Sequence, residues 1–98
     1  MRIFWSPQAE AELNEIRAYI ARDSRQNAKR MVARIKRAVS GVRRFPEGAA
    51  MAAEFEDPSL REIFVGSYRI IFRITSKCIN VVTVIHGARR LRLPPDPS

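Results

Sequence analysis

Arg61, Arg69, Arg73, His86, Arg89 and Arg90 are the residues of this chain whose types and placement could act on a charged substrate. Each falls at or near the end of a strand-like run. Together they could hold a phosphodiester and stabilise the charge that builds up as it is cleaved, with His86 or a tyrosine moving protons. Simpler roles compete. Glu62 lies diagonal to both Arg69 and Arg73 on one face of a hairpin, so cross-strand pairing accounts for those two. His86 closes a strand just before Gly87, where it can hydrogen-bond the turn. Arg89 and Arg90 have no acidic neighbour in sequence and are the better candidates for contacting a target. The chain carries no glycine-rich phosphate loop, no metal-spaced His or Cys cluster and no Ser-His-Asp pattern, so neither a metal nor a cofactor is expected.

The elements that position these cations are legible in residues 60–91. Leu60–Val65 and Tyr68–Ile74 are rich in Ile, Val, Phe and Tyr and are separated by Gly66-Ser67. Glycine at the first central position of a two-residue turn is the requirement of type II′, which suits the twist of antiparallel strands. That turn sets Val65 opposite Tyr68, Ile63 opposite Ile70 and Arg61 opposite Phe72 on one face. Phe64/Arg69, Glu62/Ile71 and Leu60/Arg73 share the other. A second turn at Thr75-Ser76-Lys77 leads into residues 78–85, a continuous apolar run that reads as the central strand of the sheet.

Upstream, Arg2–Trp5 reads as a short strand. Ser6 followed by Pro7 is a helix start, a capping hydroxyl before the residue favoured at the first helical position. Glu10, Glu12 and Glu15 occupy the early turns, where the helix dipole favours acids. Ala9, Leu13, Ile16 and Ile20 form the buried stripe with Tyr19 beside it, and Trp5 and Tyr19 are expected in the core. Asp23 or Ser24 can cap a second helix running to about Arg44, its apolar face built from Ala28, Met31, Val32, Ile35, Ala38, Val39 and Val42. Phe45-Pro46-Glu47-Gly48 ends it, and the short link between the helices predicts an antiparallel hairpin. Residues 49–59 show no period and read as a loop.

The net charge of +8 is unevenly placed. Arg25, Lys29, Arg30, Arg34, Lys36, Arg37, Arg43 and Arg44 are interrupted by no acid and form a basic ridge off the apolar face of the second helix. Such a ridge is either a solvated helix face, an attraction for nucleic acid or a dock for an acidic partner. The acids gather in the first helix and in Glu54-Phe55-Glu56-Asp57. The 98 residues, 46% of them hydrophobic, suit one small domain. A lone cysteine excludes an internal disulfide, and no apolar run approaches the roughly 20 residues of a membrane span. With no apolar signal segment in the first residues, a cytoplasmic protein is expected.

Taken in order, Trp5-Ser6-Pro7 with Ala9, the segment 16–20, Phe45-Pro46-Glu47-Gly48, Leu60-Arg61-Glu62, Gly66-Ser67-Tyr68-Arg69-Ile70-Ile71-Phe72 and Val84-Ile85-His86-Gly87-Ala88-Arg89 resemble the RelE/ParE superfamily of toxins from bacterial type II toxin–antitoxin pairs. The resemblance covers residues 2–91. It implies an α+β fold, an N-terminal antiparallel helical hairpin packed on a small twisted, mainly antiparallel sheet. Residues 1–91 would then be a single toxin domain, and residues 92–98, with three prolines, a tail.

The superfamily divides by target, and the division bears on the cations. RelE-like members cut messenger RNA on the ribosome, and ParE-like members poison DNA gyrase. RelE-type nucleases place lysines and an arginine along the strand before the Tyr-Arg hairpin, where this chain has Leu60, Glu62 and Phe64. The subgroup with a C-terminal His is not matched either, because His86 precedes the glycine and the terminal aromatic is missing. The resemblance therefore leans to ParE. It implies no chemistry by the toxin itself, and the expected target-binding surfaces are the basic tail with Arg89, Arg90 and Arg92 and exposed residues of the helical hairpin. In the RelE alternative, Arg61, Arg69, His86 and Arg89 would surround the scissile phosphate. A third reading is an inert member kept as half of a complex, which growth arrest on expression would separate from the other two. Either toxin reading implies a cognate antitoxin, a small DNA-binding protein with an acidic C-terminal segment.

Overall fold

A computed structural model of the chain describes residues 1–87. Its elements are β1 (Arg2–Trp5), α1 (Pro7–Ala21), α2 (Arg25–Val42), a single 3-10 turn at Pro46–Gly48, β2 (Ala50–Met51), β3 (Leu60–Val65), β4 (Tyr68–Ile74) and β5 (Cys78–His86). Ser6 caps α1 as its sequence suggests, its Oγ accepting from the Ala9 amide at 3.0 Å. The same hydroxyl donates to the Val82 carbonyl at 2.9 Å, so the cap also ties the helix start to the sheet. Of the two possible caps for α2, Ser24 is used, with the Asn27 amide 3.1 Å from its Oγ. The helix ends at Val42, two residues short of the expected boundary.

The five strands lie in the order β1-β5-β4-β3-β2. β1 runs parallel to β5, and every other pairing is antiparallel. The β3–β4 register is the one that Gly66-Ser67 dictates, from Val65 opposite Tyr68 to Leu60 opposite Arg73. Gly66 has φ +57°, and no non-glycine residue among those described has positive φ, which leaves type II′ as the turn. The expectation of a central β5 is corrected. β4 holds the centre, and β5 is interior because the short N-terminal strand covers its outer edge. The region expected to be loop contributes β2, whose Ala50 and Met51 pair with Glu62 and Arg61. Two residues are too few to leave a periodic trace in sequence.

α1 and α2 cover one face of the sheet. Ala9, Leu13, Val32, Ile35 and Val39 meet Val65, Ile70, Val81 and Val84 there, with Trp5 packed at the margin. Val42 closes the far end over Phe72 and Ile79. On the other face a second, smaller cluster joins Ala52, Leu60 and Ile71, with Phe55 and Val82 against it. Tyr19 is not core: it is 67% exposed. Its place beside the stripe, not on it, turns the ring to solvent. Among the described residues, no helix is long and apolar enough to cross a membrane.

Candidate functional site

The cations singled out in sequence are not gathered at one point. β3–β4 pairing places Arg69 and Arg73 on the loop-covered face, and Arg61 on the helical face. Tyr68 pairs with His86, so the histidine shares the helical face with Arg61. Arg61 lies at the far end of β3, four residues or roughly 13 Å along the strand from Val65, the partner of Tyr68. Three of the proposed phosphate ligands are thus split between two faces and two ends of the sheet.

Each has other work in the fold. Arg69 is 8% exposed. Its Nη1 and Nη2 grip the two carboxylate oxygens of Glu54 at 2.5 and 2.8 Å. Its Nε donates to Glu62 at 2.6 Å, and Nη2 also pairs with that carboxylate. Two carboxylates therefore fill the guanidinium fork, the arrangement a buried arginine needs. The hydrogen bond from Arg69 holds the Glu54 carboxyl below its ordinary range, and Glu54 in turn raises the arginine. Arg73 was expected to pair with Glu62. Instead it donates to Asp57 at 2.7 Å and to the Ser59 hydroxyl at 2.8 Å. Hydrogen bonds from Ser59 and then Arg73 depress the Asp57 carboxyl to about 2. Both pairings reach across a segment without regular period, and the only hint of them in sequence was the acidic run at residues 54–57.

Arg61 donates to three backbone carbonyls, those of Pro58 at 3.0 Å, Glu47 at 3.2 Å and Ala49 at 3.0 Å. It stitches the segments on either side of β2 to the end of β3. His86 is exposed at the end of β5, its ring edge-on to Tyr68 with centroids 5.8 Å apart and planes at 82°. The Gly87 amide donates to the Ser67 carbonyl at 2.7 Å and closes this end of the sheet over the hairpin turn. Arg89, Arg90 and Arg92 lie outside the described residues.

A polar contact that sequence reading missed joins α1 to β5. The Glu12 carboxylate accepts from the Thr83 hydroxyl at 2.7 Å and from the Val84 amide at 3.1 Å, while Gln8 donates to Thr83 at 3.3 Å. β1 pairs with β5 only as far as Val81. Beyond that point the Glu12 side chain takes over the amide that a longer β1 would have used. Among the described residues, no group of three or more His, Cys, Asp or Glu is placed to hold a metal ion.

Comparison with known proteins agrees with this geometry. Residues 3–91 match the family described as the ParE toxin of the type II toxin–antitoxin system parDE. Toxin RelE2 of Caulobacter vibrioides is 32% identical over 89 residues, covering 90% of this chain and 97% of that protein. Protein Y4kP of Sinorhizobium fredii is 37% identical over 88 residues, covering 88% of each. A structure of the chromosomal ParDE toxin–antitoxin system from P. aeruginosa superposes with a TM-score of 0.72 at 22% identity, covering 88% of this chain and 95% of that one, and shares the fold. Helical hairpin, five-stranded sheet and near-complete family match together place this chain in the ParE family of type II toxins, proteins held in check by a cognate antitoxin.

Proposed function

We propose that this toxin arrests growth by poisoning DNA gyrase and so blocking replication, acting through binding and not through chemistry of its own. The observation that carries the reading is the dispersal of the cations. A ribosome-dependent nuclease needs several positive groups converging on one phosphate. Here Arg61 and Arg69 are on opposite faces, and each is engaged by carbonyls or carboxylates of the fold. The strand positions that would complete such a grip are Leu60, Glu62 and Phe64. The target-binding residues in this reading are Arg89, Arg90 and Arg92, and the toxin works in the cytoplasm, where gyrase meets the chromosome.

The antitoxin has a surface suited to it. A cleft between β1, α1 and α2 is floored by Ile3, Trp5, Leu13 and Val39 and edged by Arg17 and Lys36, with one acid, Glu10, also in its lining. β1 has β5 on one side only. An amphipathic segment with acidic residues would find both an apolar floor and positive edges there.

The test is a supercoiling and cleavage assay with purified gyrase, run beside cleavage of message on programmed ribosomes. Linear, covalently trapped DNA with intact message is the expected outcome. Codon-phased cuts in message with unaffected gyrase would overturn it and return Arg61, Arg69, His86 and Arg89 to an active site. Replacing Arg89 and Arg90 by Ala should abolish growth arrest, and undiminished toxicity would remove the tail from the target-binding surface.

A further inference from the structure

Six cations on and just beyond α2 repeat with a period that helix stability does not require. Lys29-Arg30, Lys36-Arg37 and Arg43-Arg44 are dibasic pairs spaced seven residues apart. Seven residues are close to two helical turns, so the two pairs within α2 stack on one side, about 10.5 Å apart, and Arg43-Arg44 follows just past the helix end at Val42. All six are exposed, and none belongs to an ion pair among the described residues. Ala28, Val32, Ile35 and Val39 point the other way, into the core. Like charges at this density repel one another along a helix. A solvated face would be as well served by alternating signs, and α2 has no acid at all.

What lies between the rungs says what the ladder fits. Ala33 and Ser40 sit between successive pairs, the Arg43 guanidinium donating back to the Ser40 hydroxyl at 2.9 Å, and nothing stands within 4 Å of a Cβ built on Gly41. A bulky, extended partner can therefore come close to the helix axis. Residues 29–44 expose no large apolar side chain, whereas a protein partner would need an apolar anchor at the centre of its interface. The nearest exposed aromatic, Phe45, follows the last pair instead of lying between pairs, so unpaired bases would find no stacking platform along the ladder. Phosphate contacts demand only charge and reach.

We infer that the outward face of α2 docks on the phosphate backbone of duplex DNA. This rests on the gyrase reading, since a toxin acting on a gyrase–DNA complex meets a duplex there, and it adds that the toxin grips the DNA as well as the enzyme. The contact would be independent of base sequence and would weaken steeply with salt.

The experiment is fluorescence anisotropy of a labelled, mixed-sequence DNA duplex titrated with the full-length chain over a range of salt concentrations. It compares wild type with a variant carrying Lys29→Gln, Arg30→Gln, Lys36→Gln and Arg37→Gln. Each phosphate that the variant no longer neutralises should lower the slope of log affinity against log salt by about 0.9, so the variant should lose roughly 2 to 4 in slope and at least about tenfold in affinity at low salt. Arg22→Gln with Lys77→Gln, exposed cations away from the ladder, should bind as wild type, and circular dichroism checks that both variants keep the fold. Equal binding by wild type and the ladder variant would overturn the inference. So would a preference for duplex RNA of the same length, or tighter, ladder-dependent binding of a polyglutamate peptide, which would give the face to ribosomal RNA or to an acidic protein. Gyrase is absent from this assay, so the two readings fail separately. Duplex binding that depends on the ladder, in a toxin that spares gyrase, sinks only the proposed target. Gyrase poisoning by a toxin whose ladder variant binds DNA as wild type does sinks only the docking face.

Discussion

On its helical side the sheet meets α1 and α2 through aliphatic side chains and Phe72, and Ile70, Phe72, Val81 and Ile35 are fully buried. On the opposite side a segment without regular structure covers a smaller patch, Leu60, Ile71 and Val82, and it is held down by Arg69 and Arg73 reaching Glu54 and Asp57. The first side is close-packed by regular elements, and the second has too little apolar surface to hold its cover without ion pairs. The difference teaches where each kind of force is used. Burial builds the domain, and charge pins a loop to it.

That contrast can be broken from either side. Phe72→Ala removes the largest fully buried side chain, beneath Val42 of α2, and should cost about 3 to 5 kcal/mol in denaturant unfolding, enough to unfold a marginal domain. Arg69→Met leaves Glu62, whose side chain is only 12% exposed, without its partner, and should cost about 3 kcal/mol. If Arg69→Met were neutral, the loop face would be held by burial after all. Gly66→Ala forces a side chain into φ +57° and should cost about 1 to 2 kcal/mol, with the strand pairings intact by hydrogen exchange.

The smallest effect is one of pH. The Asp57 carboxyl is depressed to about 2 from an ordinary 3.8, so its contribution is complete above 3.8 and is lost as the pH falls towards 2. Asp57→Asn should flatten the stability curve in that window and lower stability near neutrality by the same small contribution, which is fully present there in the wild type. A variant that kept the wild-type acid slope would show that the Asp57 carboxylate does not hold the loop.

The same contrast explains what could be read from the chain beforehand. The helical hairpin and the β3–β4 register were legible, because capping hydroxyls, a 3.6-residue period and a two-residue turn are local signals. The place of β5 was misjudged: an apolar run reports burial on both faces, which any interior strand has, and says nothing of how many neighbours lie beyond. Tyr19 misled because its neighbours at 16 and 20 carry the stripe. Arg69 and Arg73 were recognised as paired, but only Glu62 was within sight along the hairpin. Glu54 and Asp57 lie 15 and 16 residues from their arginines, across a stretch with no period to set its course. Glu12 was assigned to the helix dipole, since nothing in sequence shows that β1 stops short along β5.

β1 and β5, the first and last strands among the described residues, are also bonded neighbours in the sheet. The helices can form as soon as they leave the ribosome, but β1 has no partner until β5 has been made. Contacts between the two ends of a chain are slow to form and late to be rewarded. The sheet therefore cannot be completed before β5 has been made, and until then β1 waits with unpaired edges. An antitoxin made at the same time would have that interval in which to meet its toxin before the sheet is closed.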